Sequence, residues 1–186
     1  PFNSHALSLG VAKKRGITQA EVLAEWKQTA DEAIQKGNQA HLFGELYPFN
    51  RGLRPQSQYD IAIMKFWSDL PEYIIPVTME LQMYHIEKMY AGTADIILYN
   101  TKTNRYIIGD YKTNKDLFKN FKGQKLTGRF NHLLDTPLNK YQIQLSYYQI
   151  LLEQTEVEVS HRKVIWLLPD GTYKIYECED LTQYLK

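Results

Sequence analysis

The strongest constraint on the fold lies between residues 89 and 112. Two runs rich in β-branched and aromatic residues, Met89–Tyr99 and Arg105–Lys112, flank the polar turn Asn100-Thr101-Lys102-Thr103-Asn104. That pattern predicts an antiparallel hairpin. Ile96-Ile97-Leu98 and Ile107-Ile108 are apolar at consecutive positions, so both faces of the hairpin are expected to be covered, as at the centre of a sheet. If the turn centres between Lys102 and Thr103, Asp95 lies directly opposite Asp110. A slip of one residue would carry Asp110 to the other face.

In that register the two carboxylates sit about 4.5–5.5 Å apart at Cβ, where like charges repel. Lys112, two residues beyond Asp110, projects from the same face. A divalent cation offsets such repulsion, and Mg²⁺ favours carboxylate oxygens, keeps several waters and contacts substrate phosphate. An ammonium group beside it suits phosphodiester hydrolysis, orienting or deprotonating water and stabilising charge on the phosphorane. The competing reading is a surface hairpin with an ordinary Asp110–Lys112 ion pair.

Around the hairpin the chain alternates between helical and extended patterns. Thr18-Gln19-Ala20-Glu21 forms a capping box. Behind it Val22, Trp26, Ala30, Ala33 and Ile34 recur at helical spacing up to a stop at Gly37. A second short helix is predicted from Asn38 towards Tyr47, broken by Pro48 and Arg51-Gly52, and a third over Ser57–Asp69. Ile74–Tyr84 reads as a strand that Pro76 assigns to a sheet edge. Thr136-Pro137 opens a helix to about Gln154, with Ile143, Tyr147, Ile150 and Leu151 as its apolar stripe and Gln144 at the margin. Lys163–Leu168 and Tyr173–Cys178 flank Asp170-Gly171 as a hairpin, and a short amphipathic tail follows from Asp180. This order predicts a single α/β domain over residues 1–186, with a central mixed β-sheet flanked by helices. Its amino-terminal part, about 17–70, is helical.

Composition narrows the function. Apolar residues at 44% of 186 allow a substantial core. Cys178 is the sole cysteine, which excludes a disulfide framework, a Cys-based zinc site and an iron–sulfur cluster. The apolar runs are far shorter than a membrane span, so no membrane association is expected. The chain opens on Pro1 without a basic-then-apolar leader, as expected of a trimmed or processed intracellular protein.

The motifs then become recognisable. Gly92-Thr93-Ala94-Asp95 followed by Gly109-Asp110-Tyr111-Lys112-Thr113 resembles the core of the PD-(D/E)XK nuclease superfamily, most closely its RecB-like branch. Gln144-Leu145-Ser146-Tyr147-Tyr148 is similar to that branch's Gln-x-x-x-Tyr helix, and Gly37-Asn38-Gln39-Ala40-His41 to its upstream glycine–histidine segment. The resemblance covers residues 37–153. It departs from the superfamily's name in one place, since Ala94 stands before Asp95 where a proline would be.

The resemblance implies a restriction-endonuclease-like core over about 73–178 and a set of roles. Asp95, Asp110, His41 and the Tyr111 carbonyl would bind Mg²⁺ or Mn²⁺, Lys112 would be the catalytic lysine, and Gln144 and Tyr148 would face the site or the strand. Without it, His41 reads as a packed or surface histidine. Glu80 enters as a weak candidate, since an ordinary strand carboxylate explains it as well.

Residues 112–140 hold Lys112, Lys115, Lys119, Lys122, Lys125, Arg129 and Lys140 against Asp116 and Asp135, in a chain whose net charge is only +1. Such a segment is expected to bind nucleic-acid phosphates without sequence preference. Phe118, Phe121 and Phe130 are read as filling the core beneath it rather than stacking on bases. Gly123 and Gly128 predict a loop able to move.

The functional expectation is a metal-dependent DNA nuclease, leaning to an exonuclease in replication, recombination or repair. It would work in the cytoplasm of a bacterium or an infected host cell, as a phage or accessory enzyme does, with a replication or recombination protein as a possible partner. Two alternatives stand beside it: an RNA endonuclease of the cap-snatching type, and a non-catalytic nucleic-acid-binding module retaining the fold.

Overall fold

The structure is a computed structural model that describes residues 4–185. The chain forms two compact units that divide between Gln39 and Ala40.

In the first unit, α1 (Ser4–Arg15) stops at Gly16, whose φ of +68° lets the Ile17 N–H reach back to the Ala12 carbonyl at 3.2 Å. α2 (Gln19–Leu46) starts at the Thr18 capping box: Glu21 N–H donates to the Thr18 hydroxyl, and Thr18 N–H to the Glu21 carboxylate. Arg15 grips Glu25 with two guanidinium nitrogens, at 2.7 and 3.1 Å, tying α1 to α2. Two sequence expectations are corrected here. The predicted stop at Gly37 and the separate helix after it are one continuous helix, because Gly37 does not enter the left-handed conformation that ends helices. A glycine inside a helix only weakens it, by about 1 kcal/mol. The predicted stripe is also mostly uncovered: Val22 is buried, but Ala30, Ala33 and Ile34 are exposed, Ile34 by 59%. Helical spacing selects a face without supplying a partner for it, and pairs such as Lys27–Asp31 at 2.6 Å support an exposed helix.

From Ala40 onward the second unit carries the last turns of α2, then α3 (Gln58–Asp69), capped reciprocally by Ser57 and Asp60. Five strands follow the order β1-β2-β3-β4-β5: β1 (Ile74–His85), β2 (Tyr90–Asn100), β3 (Arg105–Lys112), β4 (Val159–Leu167) and β5 (Tyr173–Glu177). Only β3–β4 is parallel, with α4 (Pro137–Glu153) crossing between them. The α/β fold with a mixed sheet flanked by helices follows the predicted element order. Pro76 lies on edge strand β1, beside a register shift, where its missing N–H breaks no central ladder. β2 and β3 pair in the predicted register, with Tyr99 opposite Tyr106 and Ile96 opposite Gly109.

The consecutive apolar residues of the hairpin divide between two core layers. Ile96, Leu98, Ile107 and Tyr111 pack with Phe43, Ile63, Phe66 and Trp67 from α2 and α3. Ile97 and Ile108 pack with Leu145, Leu151 and Leu152 of α4 and with Val164.

The stripe expected on α4 is rotated. Ile143, Tyr147 and Ile150 are only half-buried, whereas Gln142, Leu145, Ser146, Tyr148, Gln149 and Leu152 join Leu151 on the buried face. Polar side chains go inside because the carboxy-terminal segment and β4 satisfy them. Glu179 N–H donates to Gln142 at 2.9 Å, Leu181 N–H to the Ser146 hydroxyl at 3.0 Å, and Arg162 to the Gln149 amide oxygen at 2.5 Å.

The basic stretch between β3 and α4 holds one short 3₁₀ turn, Gly128–Phe130, and a single bridge, Lys125 to Leu134. Leu117, fully buried, anchors it.

Gly44 in α2 makes room for Tyr111: a methyl group there would stand 2.4 Å from the ring's Cε2. Since the ring is held in place by a Trp67 N–H at 2.8 Å, Gly44→Ala is expected to cost about 1–3 kcal/mol, read as a lowered urea midpoint with unchanged slope.

Candidate metal centre

The site begins where the β2–β3 ladder stops. Beyond Ile96–Gly109 the next residues in register are Asp95 and Asp110, where the ladder has ended. Asp95 Oδ2 accepts the Tyr111 N–H at 2.8 Å, closing the gap through a side chain. A strand residue's N–H and C=O point to the same edge, so the Tyr111 carbonyl faces the β2 side too.

On the other side of β2, the pairs Met79–Ile96 and Leu81–Ala94 bracket Glu80 and set it opposite Asp95. One row of carboxylates therefore crosses β1, β2 and β3. Glu80 has φ of +50°, a left-handed conformation costing a non-glycine residue roughly 1–2 kcal/mol. Such strain persists where the surroundings impose it, and here it accompanies a carboxylate brought to a cluster of like charge.

His41, one residue into the second unit on α2, completes the group. Its Nδ1 lies 3.2 Å from Asp95 Oδ2 and 3.8 Å from Glu80 Oε1, and its ring meets Tyr111 edge to face. Ligand-capable atoms of His41, Glu80 and Asp95 all lie within 4.8 Å of one another, close enough to hold a metal ion. Glu80 thus stands inside the cluster. The available sequence signal was an acid in the apolar middle of a strand, which its position on an edge strand obscured.

Asp110 stands outside that trio. It is 1% exposed, and the Lys112 ammonium is in ion-pair contact with its Oδ2. Among the described residues, neither carboxylate oxygen receives a properly directed hydrogen bond. Oδ1, left without any partner on a buried acid, is costly. It is also what an incoming cation would satisfy. Lys112 Nζ lies 4.6 Å from the centre of the Tyr141 ring, whose hydroxyl donates to Asn114 at 2.8 Å.

Electrostatics follow from this crowding. Burial, then the charge of Asp95, pushes Asp110 up to about 7 despite Lys112. For Lys112 burial works downward, but Asp110 and Asp95 override it and hold the ammonium above its ordinary value. His41 is likewise raised, with Asp95's hydrogen bond and charge outweighing burial. Glu80 is raised by burial and by Asp95.

The remaining expected residues fall into two groups. Gln144 donates to the Tyr148 hydroxyl at 2.5 Å, and the buried Tyr148 lies within the electrostatic reach of Asp110 and Asp95. Gly92 permits this, because a Cβ there would come within 2.3 Å of the Tyr148 ring. Lys115, Lys119, Lys122, Lys125 and Arg129 are all exposed. Lys115 and Lys119 line an open groove of about 890 Å³ with Asn114, Phe121 and Lys140, whereas Arg129 donates to the Tyr184 carbonyl at 2.6 Å. Two of the phenylalanines expected to fill the core do not: Phe118 is half-exposed, against Trp166 and Tyr176, and Phe121 is 66% exposed. Leu117 occupies the core position, so its neighbour turns outward.

A pH dependence of stability follows. Asp110 and Glu80 have folded pKa values above their unfolded ones, so the folded protein binds more protons between about pH 4 and 7 and loses stability as pH rises. His41, also raised, contributes stability that is complete below its unfolded value and is lost above the folded one. All three have the same sign. Metal-free protein is expected to be more stable at pH 5 than at pH 8, by a few kcal/mol at most. Asp110→Asn should flatten the limb between pH 4 and 7 in chelator-treated thermal melts, and added Mn²⁺ should raise the melting temperature most at pH 8.

No protein-family model matches this chain, and no curated protein is significantly similar to it in sequence.

Proposed function

We propose that the protein is a metal-dependent nuclease of the RecB-like PD-(D/E)XK type, hydrolysing phosphodiester bonds in DNA and leaning to exonuclease action. One observation carries the reading: Glu80, Asp95 and Asp110 occupy matched positions on three adjacent strands, with His41 at one end and Lys112 at the other. Nothing in the stability of a sheet calls for three acids in a row across adjacent strands. A phosphate-directed metal site does.

The donor set fits a hard divalent ion. Carboxylate oxygens with one imidazole suit Mg²⁺ or Mn²⁺, and Asp110 Oδ1, which has no partner among the described residues, supplies a free acceptor beside the oxygen that Lys112 contacts. His41, Glu80 and Asp95 would hold the ion, joined by Asp110 and the Tyr111 carbonyl. When bound, it supplies Lewis acidity towards a phosphoryl oxygen and makes a water more acidic.

The chain's own residues do the rest. Tyr111 N–H and His41 fix the Asp95 carboxylate. Asp110 holds Lys112 beside the row, and its raised pKa keeps the side chain an ammonium at neutral pH. Lys112 stabilises charge that builds on the phosphorane and orients the attacking water. The exposed lysines of the loop neutralise backbone phosphates, which makes binding fall steeply with salt. Gln144 and Tyr148 add a hydroxyl and an amide beside the acids.

The test is digestion of end-labelled linear DNA, closed circular DNA and single-stranded RNA with Mg²⁺ or Mn²⁺, alongside Lys112→Ala. Metal-dependent loss of linear DNA is expected, reduced about 10²–10³-fold in the variant. Cutting of circles would keep the chemistry and make the enzyme an endonuclease, and preference for RNA would move it to the cap-snatching class. Titration calorimetry with Mn²⁺ checks the ion directly. Binding should vanish in Asp95→Asn, and silence from the unaltered protein at near-millimolar metal would favour the non-catalytic module.

A further inference from the structure

The register that sets the acids in a row continues past them to the far edge of the sheet. Lys112 of β3 stands opposite Trp166 of β4, and Trp166 opposite Lys174 of β5. Two residues back along β3, Asp110 stands opposite Val164, and Val164 opposite Tyr176. Residues in matched register share a sheet face, as do residues two apart on one strand. Lys112, Trp166, Lys174 and Tyr176 therefore all lie on the face that carries Asp110. Adjacent strands are about 4.8 Å apart, which puts the Lys174 backbone roughly 10 Å from that of Lys112. Lys174 is exposed, its ammonium 5.9 Å from the centre of the Trp166 ring, and it forms no ion pair among the described residues.

Phe118 packs against this row from the loop. Leu117 takes the buried position beside it, and the Asp116 carboxylate accepts the Phe118 N–H at 2.8 Å, so the chain turns and the Phe118 ring stays half-exposed. Two edge-to-face contacts brace the ring, with 5.3 Å to the centre of Tyr176 and 6.4 Å to that of Trp166. The Trp166 indole N–H donates to the Asn114 carbonyl at 2.7 Å, and Asn114 Oδ1 accepts from Tyr141, the ring that Lys112 meets. A chain of direct contacts thus runs from the exposed ring to Lys112. Lys119, next along the loop, is exposed and also free of ion pairs among the described residues. A braced aromatic ring between free lysines fits an unpaired nucleotide, because every base has a stackable π-face and its phosphate needs a cation.

We infer that an unpaired DNA strand runs from Lys112 across β4 and β5, one base stacked on Phe118 and its phosphates on Lys119 and Lys174. This path lies on the β4–β5 side of Lys112, whereas Tyr148 packs on Gly92 of β2. A paired base keeps its faces inside its own stack, so the protein prefers single-stranded or frayed DNA over blunt duplex. The inference rests on the nuclease reading for what lies at Lys112, but its readout does not depend on cleavage.

The experiment measures fluorescence anisotropy of labelled oligo-dT and of a labelled blunt duplex of equal length in EDTA, where metal-dependent hydrolysis does not occur. Unaltered protein should bind oligo-dT more tightly than duplex. Phe118→Ala should weaken oligo-dT binding roughly 5- to 100-fold and duplex binding by less than about twofold. Phe118→Leu keeps apolar cover over Trp166 and Tyr176 without a π-face, so it should follow alanine even if the alanine variant folds poorly. Phe118→Tyr should stay near the unaltered protein. Lys174→Ala, an exposed change, should flatten the plot of log affinity against log salt for oligo-dT by about 0.7. Full oligo-dT binding in Phe118→Leu overturns the inference, as does duplex bound as tightly as oligo-dT, and an unchanged salt slope in Lys174→Ala overturns the path across β5. Cleavage with Mn²⁺ separates the two readings. Active enzyme whose oligo-dT binding ignores Phe118 keeps the nuclease and removes the platform, whereas Phe118-dependent binding without cleavage keeps the platform and removes the nuclease.

Discussion

Mutual repulsion among three carboxylates that cross an apolar sheet from its β1 edge to β3 is the constraint around which the second unit is arranged. Asp95 is held by the Tyr111 amide and His41, Asp110 by Lys112, and Glu80 by a strained backbone that turns it to the same place. None of these arrangements is the cheapest available to a sheet. A continued ladder would satisfy Tyr111 without a side chain, and a strand without φ of +50° at Glu80 would carry less strain. The fold tolerates them because two core layers clamp the hairpin from both faces.

That clamping explains why small residues matter near the row. Gly44 and Gly92 have no motif chemistry of their own. Each gives way to a tyrosine ring that a methyl group would displace: Tyr111 between the two site residues of β3, and Tyr148 beside the acids. The carboxy-terminal segment acts at longer range. By satisfying Gln142 and Ser146 it draws a polar face of α4 inward, which leaves Tyr147 half-buried.

Much of the sheet was legible in the sequence. Hairpin centres at Lys102-Thr103 and Asp170-Gly171 set β2–β3 and β4–β5, because a turn fixes the register of the strands it joins. Ser57 and Thr136 marked helix starts through local hydrogen bonds that need no partner element. Helix faces were less legible. Ile34 has helical spacing yet faces solvent, and Ser146 looks like a surface residue yet is buried, since burial depends on what arrives opposite and not on period.

The sequence alone determined that Asp95, Asp110 and Lys112 would come together, since register and alternation along one hairpin are local geometry. Tertiary structure decided what joined them. His41 reaches the row from a helix and Glu80 from an edge strand, while the tail satisfies Ser146 on the buried face of α4. These are meetings between elements far apart in the chain, set by packing and by hydrogen bonds that no short stretch of sequence contains.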